Sequence, residues 1–292
     1  MKSLVIGGSG LLGEALLRTS PFQDDCIGTS HRQTVSGLVS LDITDRDAVQ
    51  RLVSDTQPKL VLLCAANPNV DLCEREPELT RATNVIGVEN VAQACADVGA
   101  KLVFYSSDYV FDGKDGPYAE DATPNPICVY GQQKLESEGI VQRYGPDLNL
   151  VLRITGVYGL ERQGKNFVYR AVNTLRNGQP LRVPKDQYGN PTLSDDLATA
   201  TWELVKRNAR GVLHLAGPDC LNRLEFAQRI AAVFQQPSEF LQGVSTIELG
   251  QSAPRPLRAG LISTRSTTLI ERSLLSVRSG LEWLSRTGAL NG

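Results

Sequence analysis

A chain of 292 residues with 41% apolar and 21% charged residues can bury a full core, as one large domain or two unequal ones. Its 30 Lys and Arg against 32 Asp and Glu leave a net charge of -2, which supplies no field for a nucleic-acid backbone or an anionic membrane. Neither is expected as a partner.

The six cysteines (Cys26, Cys64, Cys73, Cys95, Cys128 and Cys220) are scattered without a CxxC pair and read as reduced thiols of a reducing compartment. The opening Met1, Lys2, Ser3, Leu4 starts like a leader, but Gly7, Gly8, Gly10 and Glu14 interrupt it within a few residues. No run approaches the roughly 20 apolar residues of a membrane span, so a cytoplasmic location is expected. The two histidines, His31 and His214, have no metal-ligand spacing, which makes histidine metal sites and Ser-His-Asp hydrolysis poor candidates. His214, inside an apolar run, reads as a structural histidine.

Taken in chain order, short apolar runs at 4–6, 60–64, 102–105, 150–154 and 212–215 predict buried parallel strands. Between them, helical periodicity predicts helices over 11–18, 45–54, 78–97 and 130–143, with another at 195–205. This alternation predicts an α/β fold, a Rossmann-type doubly wound parallel sheet. After about residue 155 the rhythm weakens into Gly, Pro and Asn. The expected division is a dinucleotide-binding domain of 1–154 plus about 195–217, and a smaller C-terminal substrate-binding domain of about 155–194 and 218–292. The strand at 212 should return to the main sheet. From Phe234 onward the sequence is almost silent; Arg255 or Arg258 reads equally as a pyrophosphate contact or a solvated charge.

Gly7, Gly8, Ser9, Gly10, Leu11, Leu12 and Gly13 join the first strand to the first helix. Glycines there let the backbone turn tightly, approach a pyrophosphate and aim helix N-terminal amides at its charge. Gly7, Ser9, Gly10, Leu11, Leu12 and Gly13 are the expected cofactor contacts. The second strand should end near 26–30, followed by Ser30, His31 and Arg32 where an NAD enzyme often carries an acid. A hydroxyl and a guanidinium suit a 2′-phosphate, so NADPH is expected, with NADH the alternative. Asp42 and Ile43 are expected to border the adenine.

Tyr130 and Lys134 stand four residues apart at the start of a predicted helix, hence on one face. A cation beside a phenol should draw its pKa down from about 10. Ser107, at the end of the run at 102–105, could donate to a carbonyl oxygen that Tyr130 protonates, while Lys134 holds the nicotinamide ribose. The rival reading of Ser107 is a strand-terminal turn residue.

Longer strings sharpen this: Ala65 and Ala66, Val70 and Asp71, Cys73 and Glu74, Asn84, the octet from Ser106 to Gly113, Leu152 and Arg153, Val157 to Gly159, Gly164, Asn166 and Phe167, and the septet from Asp186 to Thr192. Together with the glycine turn and the Tyr130/Lys134 pair, they resemble the extended short-chain dehydrogenase/reductase family, and within it the dTDP-4-dehydrorhamnose reductases. The resemblance runs from the first strand to about Ala198, then thinly to Arg255 and Pro256. It implies reduction of the 4-keto group of a nucleotide-linked deoxysugar. It places Ala65, Ala66 and Asn84 with the cofactor, and Ser107, Asp108, Gln187 and Tyr188 with the substrate. Arg153 is implied as a substrate contact, with a structural ion pair as the rival reading.

Departures from the family pattern are Ser107 in place of threonine, and Asn67, Pro68 and Asn69 where an aromatic residue is common. Some members bind magnesium at a dimer interface, but no equivalent acidic set stands out, so no metal is expected; a homodimer is allowed. Two alternatives stay open. The regulatory beta subunit of methionine adenosyltransferase shares the Ser106 to Gly113 string and implies a non-catalytic role, and sugar-nucleotide epimerases use the same three catalytic groups.

Overall fold

The computed structural model describes residues 1–31 and 35–290. Seven strands, β1 (Ser3–Ile6), β2 (Cys26–Ser30), β3 (Leu38–Ser40), β4 (Leu60–Leu63), β5 (Lys101–Ser107), β6 (Leu150–Ile154) and β7 (Gly211–His214), form one sheet. The order is β7-β6-β5-β4-β1-β2-β3, with every neighbouring pair parallel. The fold is therefore the expected Rossmann-type doubly wound sheet. The chain winds outward from β1 through β2 to β3, then restarts at β4 on the other side. The β1/β4 boundary is thus the switch point, outside whose carboxyl ends such sheets bind ligands.

Period-2 alternation sends neighbouring side chains to opposite faces, and both faces are apolar. Leu4 and Ile6, Val61 and Leu63, Leu102 and Phe104, and Val151 face one core. There they meet α2 (Arg46–Thr56), α3 (Gly87–Val98) and α4 (Val129–Tyr144) through Val49, Val53, Val91, Cys95 and Val141. Val5, Leu60, Leu62, Val103, Leu150 and Leu152 face the other core, against α1 (Leu11–Thr19) and α6 (Ser194–Lys206). Burying each such side chain contributes about 2 kcal/mol, which is why uninterrupted apolar runs make these strands.

A third core gathers α5 (Phe167–Arg176), α7 (Arg223–Val233) and α8 (Val277–Arg286) around Tyr158, Val183, Leu193 and Phe226. Strands Leu181–Pro184 and Leu241–Val244 pair beside it. Helix α8 closes on Tyr158 at Gly280, where a Cβ would stand 2.2 Å from the phenolic oxygen. Among the described residues no helix is long and apolar enough to cross a membrane.

The single helix expected over 78–97 is divided into Pro77–Arg81, a π turn at Ala82–Ile86, and α3. The extra residue in the π turn rotates Asn84 into the interior, and Gly87 seats against Ile43, whose Cγ1 would be 2.6 Å from a Cβ there. Helix α2 begins one residue after the expected 45, because Asp45 is its cap and accepts from the Ala48 amide at 3.0 Å.

Candidate active site

The glycine turn after β1 requires its glycines. Gly7 holds φ +89°, and a Cβ on it would lie 2.7 Å from the Ala65 nitrogen; one on Gly13 would lie 2.1 Å from the Gly7 carbonyl oxygen. The Gly8 amide donates to the Thr29 carbonyl at 2.7 Å and the Gly10 amide to that of Gly7 at 3.1 Å, which tie the turn to β2 and to itself. Gly10 caps α1 without a side-chain hydrogen bond, so the first amides of α1 stay available to an anion. Gly10, Leu11, Leu12 and Gly13 line a cleft of about 560 Å³ that runs over the sheet's carboxyl edge. Ser9 stands beside it and accepts through its carbonyl from Gln163 at 3.2 Å.

The other expected cofactor residues divide. Ala66 lines the cleft, while Ala65 lies against Gly7. Ser30 is buried at the end of β2, and His31 faces Asp42 with Nε2 3.3 Å from a carboxylate oxygen. Arg32 falls outside the described residues. Ile43 is a core residue packed on Gly87 and is 4% exposed, which leaves its backbone rather than its side chain to border an adenine. Asn84 is also buried, and its amide is spent within the protein: Oδ1 accepts from the Asn67 amide and Nδ2 donates to Gln133 Oε1, both at 2.8 Å. It braces the loop after β4 against α4.

The catalytic candidates are brought together. Ser107 ends β5, and Tyr130 and Lys134 lie one turn apart at the start of α4; all three line the cleft that the glycine turn opens. Ser107 Oγ donates to Asp108 Oδ1 at 3.0 Å and accepts from the Tyr109 amide at 3.2 Å. Asp108 Oδ2 accepts from Thr155 Oγ at 2.6 Å; burial raises this carboxyl above the usual carboxylate range, against the lowering effect of its two hydroxyl donors. Tyr130 packs edge-on against Tyr109 with ring centroids 5.6 Å apart.

Lys134 corrects a further expectation. Its Nζ donates to the Tyr105 carbonyl at 2.9 Å and lies 4.7 Å from the Phe104 ring centroid, but 5.9 Å from that of Tyr130. The phenol is not pulled down. Burial first, then the Asp108 carboxylate, push Tyr130 above its ordinary value, opposed by the Ser107 hydroxyl. Tyr130 therefore keeps its proton at neutral pH. Burial lowers the Lys134 ammonium to about 8, opposed by the nearby Glu138 carboxylate.

Of the expected substrate residues, Asp108, Gln187 and Tyr188 line the cleft. The Gln187 amide is held by Thr246 at 3.0 Å and Gln251 at 2.8 Å. Arg153 corrects the resemblance: it is 4% exposed and its guanidinium is bound to Glu138 through Nε at 2.9 Å and Nη2 at 2.8 Å. It is a structural ion pair behind the cleft. Sequence reasoning missed Thr155, which follows β6 as Ser107 closes β5, and Arg223. Arg223 opens α7 inside the Asn222/Glu225 capping box, and its guanidinium lies 5.7 Å from the Phe167 ring centroid on the cleft wall. The capping box was visible as Asn-x-x-Glu; the stacking joins residues too distant in sequence to be read. Among the described residues no group of three His, Cys, Asp or Glu is placed to hold a metal ion.

A doubly wound parallel sheet with a glycine turn at its switch point, and a serine, tyrosine and lysine gathered on its carboxyl edge, defines an architecture of the extended short-chain dehydrogenase/reductase class. The chain belongs to the family described as the RmlD substrate binding domain, which it matches over residues 1–287. It is similar to the dTDP-4-dehydrorhamnose reductase of Bacillus anthracis solved in complex with NADP. That likeness has a TM-score of 0.90 and 30% identity, and covers 98% of this chain and 100% of that one. It is 33% identical over 269 residues to a probable low-salt glycan biosynthesis reductase of Haloferax volcanii, covering 89% of each. Methionine adenosyltransferase 2 subunit beta of Xenopus laevis is 31% identical over 265 residues, which cover 87% of this chain and 78% of the relative.

Proposed function

We propose that this chain is an NADPH-dependent reductase of the 4-keto group of a nucleotide-linked deoxysugar, of the dTDP-4-dehydrorhamnose type. The observation that carries this reading is the gathering of Ser107, Tyr130 and Lys134 on the cleft that the glycine turn opens. The glycine turn suits a dinucleotide, because the missing side chains of Gly7 and Gly13 let its backbone pack tightly against Ala65 and itself and leave the start of α1 open to the cleft. In this reading Gly10, Leu11, Leu12 and Gly13 hold the pyrophosphate through the start of α1. Ser30, His31 and Arg32 receive the 2′-phosphate, and Lys134 holds the nicotinamide ribose. A reduced nicotinamide held there would supply the hydride for the carbonyl carbon.

The protein's own groups do the rest. Ser107 Oγ–H turns from Asp108 to the substrate's carbonyl oxygen, and Tyr130 gives its proton to that oxygen as negative charge develops there. A phenol raised above its ordinary value is in the right state for this direction of reaction. Residues 155–194 with 218–292 act as the substrate-side unit, contributing Gln187, Tyr188 and Arg223 to the cleft wall.

Loss of nicotinamide absorbance on adding dTDP-4-dehydrorhamnose tests the reading, with NADPH favoured over NADH and the preference narrowed by Arg32→Ala. No oxidation with either cofactor would sink it. The 31% identity to an adenosyltransferase beta subunit favours a second reading, a non-catalytic NADP-binding subunit. Recovery of an adenosyltransferase in a pull-down, without ketosugar turnover, would select it.

A further inference from the structure

Behind the cleft lies a second set of polar groups, of which Ser106 alone also lines the cleft. Glu138 stands one turn beyond Lys134 on α4, so Tyr130, Lys134 and Glu138 share a stripe of that helix. The Glu138 and Arg153 side chains are each 5% exposed, and their bidentate pair joins α4 to β6. Glu138 Oε1 also accepts from the hydroxyl of Ser106, the residue before Ser107 on β5. Beyond the pair, Arg153 Nη1 meets His214 Nε2 of β7 at 3.5 Å and lies over the Phe111 ring. One carboxylate thus binds the helix carrying Tyr130 and Lys134 to the strand carrying Ser107.

The groups facing Lys134 show what else that carboxylate does. On its own helix are Tyr130 and Glu138. From β5 come the Tyr105 carbonyl and the Phe104 ring, from the end of β4 the Cys64 thiol, and from helix Val70–Arg75 the Cys73 thiol. Burial raises both thiols, so they keep their protons and supply no charge. Tyr130 and, through it, Asp108 complete the surroundings. Glu138 is the anion that acts on Lys134 directly.

We infer that Glu138 is a positioning residue of this site: its carboxylate, fixed by Arg153 and Ser106, aligns Tyr130 and Lys134 with Ser107 and is the counter-charge against which Lys134 is buried. The inference rests on the proposed roles of those three groups.

The test is the pH dependence of kcat for ketosugar reduction and of NADPH affinity, in the whole protein and in two variants. Lys134 works as an ammonium and loses its proton as pH rises, so the wild-type limb falls near its value of about 8. Removing the anion in Glu138→Gln destabilises the ammonium, and the limb moves to lower pH by about one pH unit. The double variant Glu138→Leu/Arg153→Met leaves no orphan charge to unfold the protein; its limb moves the same way by less, because the Arg153 cation goes too. Folded variants whose limbs coincide with the wild type in both measurements would overturn the inference. A wild type that binds NADPH but reduces no ketosugar would defeat the substrate reading alone, and the limb in NADPH affinity would still decide the role of Glu138.

Discussion

Helices α4 and α8 both lie against the body of the protein, yet they bury opposite chemistries. Helix α8 turns Val277, Gly280, Leu281 and Leu284 into the third core. Helix α4 buries Gln133, Lys134, Ser137 and Glu138 along with Ile140 and Val141. A buried polar group costs stability unless it is hydrogen-bonded, and on α4 each of the four has partners. Gln133 is held by Asn84, Thr80 and the Pro77 carbonyl, Ser137 by the Asn84 carbonyl, Lys134 by Tyr105 and Glu138 by Arg153 and Ser106. The contrast teaches where the chain has invested in chemistry: Val277, Leu281 and Leu284 of α8 could be exchanged for other apolar residues, whereas α4 could not be simplified without losing the arrangement around Tyr130.

The comparison can be broken most sharply at Tyr130. Tyr130→Phe keeps the ring against Tyr109 and removes only the proton donor. The rate of ketosugar reduction should fall by about 10²–10⁴-fold with the melting temperature unchanged. Retained activity would remove α4 from the chemistry.

The converse change is Leu281→Ala on α8. It leaves a cavity in the third core and should lower stability by about 2–5 kcal/mol in urea unfolding, while the folded variant keeps its kcat. If it lost kcat without losing stability, the division between a chemical and a structural helix would be wrong.

A smaller effect sharpens the account of the polar side. His214 is fully buried; its Nδ1 lies 3.2 Å from the Ile262 carbonyl and its Nε2 faces Arg153. Burial first, then the Arg153 cation, push the imidazole from an ordinary 6.5 down to about 4. Between those values the unfolded chain binds a proton that the folded chain refuses. This contribution is therefore complete above pH 6.5 and is lost as pH falls toward 4, by at most about 3 kcal/mol. The drop in urea midpoint from pH 7 to 4.5 should be shallower in His214→Asn. Equal slopes would mean that the imidazole is not held neutral.

The same contrast explains what the sequence could and could not disclose. Apolar runs were enough for β1, β4, β5, β6 and β7, which lie between two apolar cores, whereas the short, largely exposed β3 gave no such run; the Tyr130/Lys134 pair was legible because four residues make about one helical turn. The glycine turn was legible for the same reason: its constraint lies within Gly7 to Gly13. The surroundings of Arg153 and Asn84, which the resemblance placed with the substrate and the cofactor, were not legible, because the side chains that hold them are distant in sequence. Those partners, Glu138 and Gln133, sit on another element. Tyr130 was misjudged in the opposite sense: a neighbouring cation was visible in sequence, but burial and the Asp108 carboxylate were not. The helices after Phe234 escaped notice although Val277, Leu281 and Leu284 recur at helical spacing, because they are short and separated by irregular stretches that obscure the period.

The most direct test of the central claim is transfer of an isotope. NADPH deuterated at both C4 positions of its nicotinamide would be incubated with the protein and dTDP-4-dehydrorhamnose, and the product sugar examined by mass spectrometry and NMR. One deuterium bonded to C4 of the sugar is the expected result. Cofactor bound without any transfer of deuterium would contradict the account.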